Sequence, residues 1–301
     1  MKTNTMRLWT QNLQHWWHVR KGTGVPYVRA VLEKRSLGAV FQPMVELRTG
    51  AIMGHEGLVR VPRSVAEMSF DGLMGAAKAQ HCQKQLELTC VDHVIGCWLA
   101  ERGKGMLFVN VSAQTLVQLH ESDAIDSLLQ LLRKHKLPPA RMGLDLAGYT
   151  RLSSVDALVA ALRPLRAAGM AIALDDFKAS DSSMRVWSKV LPNLIKMAPR
   201  WTSNIHRNPD HRDAVASMVR LTRKHGGLLV AKSVENESEM QVLRELGVSL
   251  AQGYFLGSPG AEPVTALNRR AHGALSVETP TVTARPDPVL EIQPADPNWW
   301  G

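Results

Sequence analysis

The chain has 301 residues, 45% hydrophobic and 21% charged, which suits a globular protein with one large α/β domain plus extensions, or two small domains. No apolar run approaches the roughly eighteen residues that span a bilayer, and the N-terminus lacks a signal-peptide core, so the expectation is a cytoplasmic protein without a transmembrane segment. The net charge of +9 is uneven: residues 1–40 hold seven Lys or Arg against Glu33, and the nearly balanced remainder argues against a nucleic-acid-binding groove.

Residues 6–20, "MRLWTQNLQHWWHVR", place Leu8, Trp9, Leu13, Trp16 and Trp17 at helical spacing. Such a helix either packs on the main domain or, given its aromatic and basic mix, faces a protein partner or a membrane surface. Residues 1–24 therefore read as a basic amphipathic extension. The stretch "KGTGVP" is a short linker, with Pro26 suited to the first turn of the next helix.

From about residue 39 to 258, strand-like runs recur in "GAVFQPMVEL", "AIMGHEGLVR", "MLFVNVSA", "MGLDLAG", "MAIALDDF", "LPNLIKMA", "LLVAKSVE" and "AQGYFLG". The first two flank Thr49-Gly50 and read as an antiparallel hairpin. Helical stretches such as "DALVAALRPLRAAG" separate most of the others. This alternation predicts an α/β fold, a (β/α)8-type TIM-like barrel over residues 25–262. The three cysteines, Cys82, Cys90 and Cys97, share one expected helix, match no zinc spacing and read as core filling. Beyond residue 262, six prolines fall between 263 and 297 and the chain reads "PNWW" near its end, so residues 263–301 are expected to be a disordered tail. Trp299 and Trp300 there are either frayed or a short docking motif.

Polar residues gather at the strand ends. Glu56 lies in the second run, Asn110 in "LFVN", Asp145 in "GLDLAG", and Asp175-Asp176 in "AIALDD". Lys196 ends "NLIK"; Lys232 and Glu235 follow "LLVA", and Gln252 opens the last run. In a (β/α) barrel these ends share one rim, where catalytic groups come from several strands. Carboxylates with an amide suit Mg²⁺ or Mn²⁺ rather than zinc, and such ions at a rim serve phosphate chemistry.

The order of motifs resembles the EAL-domain family, bacterial cyclic di-GMP phosphodiesterases and their non-catalytic relatives. "FQPMVELRTGAIMGHEGLVR" resembles the family's opening with "EGL" for EAL; "FVNVSAQTL", "LDDFKASDSS", "LPNLIKMA" and "LVAKSVENESEMQVLRELGVSLAQGYFLGSP" follow in family order over roughly residues 27–260. The resemblance implies a barrel with one antiparallel strand and, in active members, two Mg²⁺ or Mn²⁺ ions that hydrolyse c-di-GMP to the linear dinucleotide. It makes Glu56, Asn110, Asp145 and Asp175 ligands of the first metal, with Asp175 bridging to a second beside Asp176. Glu56, Lys196, Lys232 and Glu235 hold the family's catalytic positions. Gln42, Arg60, Asp175 and Gln252 hold the nucleotide.

Several positions depart from that pattern. Asp145 stands where the family has glutamate, Gly148 replaces a second glutamate, and Lys178-Ala179-Ser180-Asp181 replaces Gly-Thr-Gly-Tyr, removing two glycines. Ala198 replaces the aspartate of the family's KID. Lys232 replaces the first glutamate of AEGVE, a ligand of the second metal in active members. An ammonium offers a cation no lone pair, and at an effective dielectric of about 20 it repels a divalent ion by several kcal/mol. The expectation is a degenerate, non-catalytic regulator in c-di-GMP signalling with at most one Mg²⁺ or Mn²⁺ and the second metal site lost. It would act as a c-di-GMP receptor, as a protein-binding regulator through the Trp-rich helix or the tail, or as both. The alternative is a weakly active, metal-dependent phosphodiesterase.

Overall fold

The computed structural model describes residues 25–34, 37–61 and 69–276. The Trp-rich segment 6–20 and the Trp299-Trp300 pair lie outside them. Among the described residues, no helix is long and apolar enough to cross a membrane.

Eight strands close into a barrel in sequence order. They are β1 (Gly38–Glu46), β2 (Ile52–Arg60), β3 (Met106–Ser112), β4 (Met142–Ala147), β5 (Ala171–Phe177), β6 (Leu194–Met197), β7 (Leu228–Ala231) and β8 (Leu250–Ala251). Strands β2 to β8 run parallel, and β1 meets β8 antiparallel, pairing Val45 with Ala251. One reversed strand follows from the short β1–β2 connection, where Gly50 at φ 74° donates to the Glu46 carbonyl at 2.8 Å. That positive φ suits glycine.

Strands and helices alternate because caps repeatedly stop one and start the other. Ser112 ends β3 and caps α4 (Ala113–Glu121), its hydroxyl accepting from the Thr115 amide. Ser154 caps α6 (Val155–Ala167), Asn208 caps α8 (Pro209–Lys224) and Asn236 caps α9 (Glu237–Glu245) in the same way. Ser180 and Ser183 form a reciprocal capping box at the start of α7 (Asp181–Val190). Helix α5 (Asp126–His135) lies between α4 and β4.

Inside the barrel, Met44, Phe108, Ala171, Ala173, Leu194, Val230 and Leu250 form a buried apolar cluster. Gly143 is needed beside it, since an added Cβ would meet the Phe108 ring at 2.3 Å. Strand side chains alternate between faces. The next inward position after each apolar residue is therefore Asn110 after Phe108, Asp175 after Ala173, Lys196 after Leu194, Lys232 after Val230 and Gln252 after Leu250. The polar residues form the pleat above the apolar layer.

The chain divides into two compact units. Among the described residues, one comprises 39–58 and 94–276, with most of the barrel; the other comprises 25–34, 37–38, 59–61 and 69–93. In the latter, α1 (Val25–Lys34), α2 (Phe70–Ala79) and the first half of α3 (Gln83–Ala100) bury Val28, Val31, Leu73, Ala77, Leu86 and Cys90 together. Cys82 sits just before α3 rather than inside it, and its carbonyl accepts from the Leu86 amide at 3.0 Å.

Two further sequence expectations need correction. Residues 263–276 are not a disordered start to the tail: α10 (Arg269–Ser276) buries Ala271, Ala274 and Leu275, and Asn268 anchors it by donating to the Phe255 carbonyl at 3.0 Å. The last strand is only Leu250–Ala251, because Gly253 packs so closely on Val234 that an added Cβ would lie 2.2 Å from its backbone. The remainder of "AQGYFLG" turns away at that contact, with the Gly257 amide bonded to the Gly253 carbonyl at 2.9 Å.

Candidate functional site

At the C-terminal ends of the parallel strands, Lys196 is fully buried, with its ammonium 2.5 Å from Glu56 Oε2 and also bonded to Asp145 Oδ2. Glu56 is further held by Asn110 Nδ2 on Oε1 at 3.0 Å and by Gln252 Nε2 on Oε2 at 2.8 Å. Gln252 Nε2 also reaches Gln42 Oε1 at 3.3 Å, and Gln42 Nε2 donates to the Gly257 carbonyl at 3.4 Å. Register helps set this arrangement: β3 and β4 pair Asn110 with Asp145, and β6 and β7 pair Lys196 with Val230, one residue pair before Met197 and Ala231.

A second ammonium–carboxylate pair stands beside the first. Lys232 Nζ lies 2.5 Å from Asp175 Oδ1, both side chains about one-fifth exposed. Asp175 sits where the β5–β6 register shifts between Leu174 and Phe177. The same irregularity turns Asp176 outward at φ 53°, where its carboxylate pairs with Lys178 at 3.0 Å instead of joining the cluster. Arg200 then donates to the Lys178 carbonyl at 3.1 Å.

Burial and charge act against each other here. Burial opposes ionisation of Glu56, yet the Lys196 and Lys232 charges and the bonds from Lys196 and Asn110 hold it down to about 2. Burial pushes Asp145 up; Lys196 opposes this, while the Glu56 and Asp175 carboxylates add to it. Burial disfavours the Lys196 charge, but Asp145, Glu56 and Asp175 outweigh it and keep the ammonium protonated. Two buried acceptors in the cluster, Asp145 Oδ1 and Gln252 Oε1, have no hydrogen-bond partner.

The structure thus brings Gln42, Glu56, Asn110, Asp145, Lys196 and Gln252 into one network, with Asp175 and Lys232 paired beside it. The hydrogen bonds that other expected site residues make are local ones. Glu235 is exposed, and what its segment shows is a backbone bond, its amide donating to Glu239 Oε2 at 3.0 Å. Arg60 is exposed and donates to the Val59 carbonyl at 3.1 Å. Among the described residues, no group of three or more His, Cys, Asp or Glu side chains is gathered so that it would hold a metal ion.

Sequence reasoning missed Tyr149, which is buried after β4; burial pushes its phenol up, and the Asp175 and Asp176 charges add to this. Its place, two residues past the end of a strand bearing Asp145, was the available signal.

A closed eight-stranded barrel with one reversed strand and a carboxylate–amide–lysine network at its rim defines an α/β barrel of the TIM type with a polar rim site. Residues 27–259 match the EAL domain family, and the chain belongs to it. It is 27% identical over 237 residues to the bifunctional diguanylate cyclase/cyclic di-GMP phosphodiesterase MucR of Pseudomonas aeruginosa, covering 77% of this chain and 34% of that protein. The chain spans about a third of the length of the curated relatives it matches. The EAL domain of Xanthomonas citri FimX in complex with c-di-GMP superposes with a TM-score of 0.71 at 17% identity, over 87% of this chain and 99% of that one, which shows the shared fold. The manganese and c-di-GMP complex of Klebsiella pneumoniae BlrP1 gives a TM-score of 0.68 at 25% identity, over 77% of this chain and 58% of that one.

Proposed function

We propose that this chain is a degenerate EAL module that has lost meaningful phosphodiesterase activity and works as a c-di-GMP receptor, transmitting occupancy to a protein partner. The observation that carries this reading is the Lys232–Asp175 pair at 2.5 Å. The resemblance gives Asp175 the role of bridging two metals and gives position 232 a metal-binding carboxylate. Here an ammonium stands at 232 and takes an Asp175 oxygen. Glu56 and Asp145 are likewise engaged by Lys196. With Lys232 on Asp175 and Lys196 on Glu56 and Asp145, the donor set does not fit two divalent ions. Lys232, about one-fifth exposed, is the ammonium that can meet a phosphodiester anion at the rim, as a point charge where active members hold a metal, whereas Lys196 is fully buried against Glu56 and Asp145.

Calorimetry of c-di-GMP binding in EDTA and in Mg²⁺, with chromatography of the product mixture, tests this reading. Micromolar binding that is the same in both buffers is the expected result. Conversion to linear pGpG at about 1 s⁻¹ or faster overturns it.

One observation favours a second reading, a weakly active one-metal phosphodiesterase. Asp145 Oδ1 is a buried acceptor without a partner, which a single cation would satisfy. On that reading, binding strengthens in Mg²⁺ or Mn²⁺ and slow turnover depends on Asp145.

A further inference from the structure

On another face of the barrel unit, α5 and the turn that follows it enclose a groove of about 270 Å³ lined by Leu129, Leu132, Leu137, Pro138, Pro139 and Ala168. That is below the roughly 300–1,000 Å³ of small-molecule sites, so it fits one or two side chains better than a cofactor. Its other lining residues are Arg133 and Lys136, both exposed. Arg133 pairs with Asp126 at 2.9 Å. The helix ends here as Arg133-Lys134-His135, and Lys136 follows at φ 54°, so the positive side chains meet the negative end of the helix dipole. The groove is apolar at its floor and basic at its edge.

The chain itself carries a segment of matching chemistry. Residues 277–301 hold Glu278, Asp287, Glu291 and Asp296 against Arg285, a net charge of −3, and include Trp299-Trp300. We propose that this segment docks in the α5 groove, with Trp299 or Trp300 on the leucine–proline floor and the acids facing Arg133 and Lys136. Geometry allows it. Helix α10, which leads into the segment, places Leu275 against Gly50, 3.5 Å from where that residue's Cβ would be, just before β2 begins. The groove's Pro138-Pro139 likewise lies just before β4 begins. Both points are at the N-terminal ends of the parallel strands, opposite the polar network. A segment of 25 residues reaches roughly 80 Å when extended, more than the roughly 45 Å width of a domain of about 250 residues. Tryptophan offers large apolar area at little entropic cost, which suits an anchor.

Hydrogen–deuterium exchange of the full chain tests the docking. In Trp299→Ala/Trp300→Ala, amides of residues 129–137 exchange about fivefold to tenfold faster than in the parent chain, while those of α8 are unchanged. Glu291→Gln/Asp296→Asn gives a smaller acceleration, and raised salt accelerates the parent chain toward the same level. Indistinguishable exchange at 129–137 in the parent chain and the double tryptophan variant overturns the proposal. So does protection that disappears on dilution, because the occupant is then a second copy.

Discussion

Lys232 Nζ sits 2.5 Å from Asp175 Oδ1, at the ends of strands that face the same barrel interior. Val230 and Ala173, one inward position earlier on each strand, are both in the apolar layer. The pair is therefore set by the pleat and not by a chance meeting of surface side chains. Lys232→Glu would place a second carboxylate against Asp175. Like charges within about 4 Å repel, and a divalent ion relieves that repulsion. The expected outcome is that Mg²⁺ or Mn²⁺ raises the Tm of Lys232→Glu but leaves the parent unchanged. Turnover of c-di-GMP should still stay well below about 1 s⁻¹, because Asp145 and the 178–181 loop remain altered. Thermal melts with and without metal, beside a chromatographic activity assay, check both halves; full recovery of activity would refute the second.

Lys196 gives a second prediction. It is fully buried and is shared by Glu56 and Asp145. Removing one partner from such a set leaves uncompensated buried charge, at a cost of about 3–5 kcal/mol. Lys196→Met should lower the urea midpoint accordingly. Lys196→Met/Glu56→Gln should recover a good part of the loss, since the carboxylate left most exposed to the missing charge is then neutral. A double variant no more stable than the single one would show that the ammonium acts by packing alone.

Much of this was readable in the chain, and the reasons are local. Apolar runs ending in Asn110, Asp145, Asp175 and Lys196 mark both strands and rim, because a parallel strand buried on both faces reads as an unbroken apolar stretch. Lys232 stood out as a lysine where the family has a carboxylate. What stayed hidden depends on contacts between distant segments. The bulge after Leu174 turns Asp176 out to Lys178, and no residue type signals a register shift. The helix at Arg269–Ser276 was masked by the prolines beyond it, although Ala271, Ala274 and Leu275 recur at helical spacing. The compact unit of α1, α2 and part of α3 was invisible because its helices have ordinary periodicity and declare no partner.

Arg166 gives a third prediction, away from the site. Its guanidinium donates to the Val190 carbonyl at 2.6 Å and the Leu191 carbonyl at 3.0 Å, so α6 supplies the C-terminal cap of α7. Leu191 follows that helix at φ 46°, a left-handed position without a glycine, which makes the external cap more important. Burial lowers the Arg166 guanidinium to about 10, still charged at neutral pH. Arg166→Ala should cost about 1 kcal/mol in a denaturant titration, the loss for partly buried carbonyls left without a donor. Arg166→Lys should recover only part of it, since an ammonium cannot reproduce the planar fork.

Cys90 gives the last prediction. It is 5% exposed among Leu86 and Leu73, and burial, with a smaller contribution from Glu87, pushes its thiol from 9.0 up to about 12. Only the thiolate is nucleophilic, so this rise leaves very little of the reactive form at pH 8, before access is considered. Iodoacetamide at pH 8 should leave Cys90 unmodified in the folded protein and modify it fully in urea, as peptide mapping would show. The folded value lies above the unfolded one, so the stability it contributes is fully present below pH 9.0 and is lost as the pH rises through about 12. Cys90→Ala should flatten that part of the alkaline stability profile, and rapid labelling of folded Cys90 would show that the helix around it opens far more often than its burial implies.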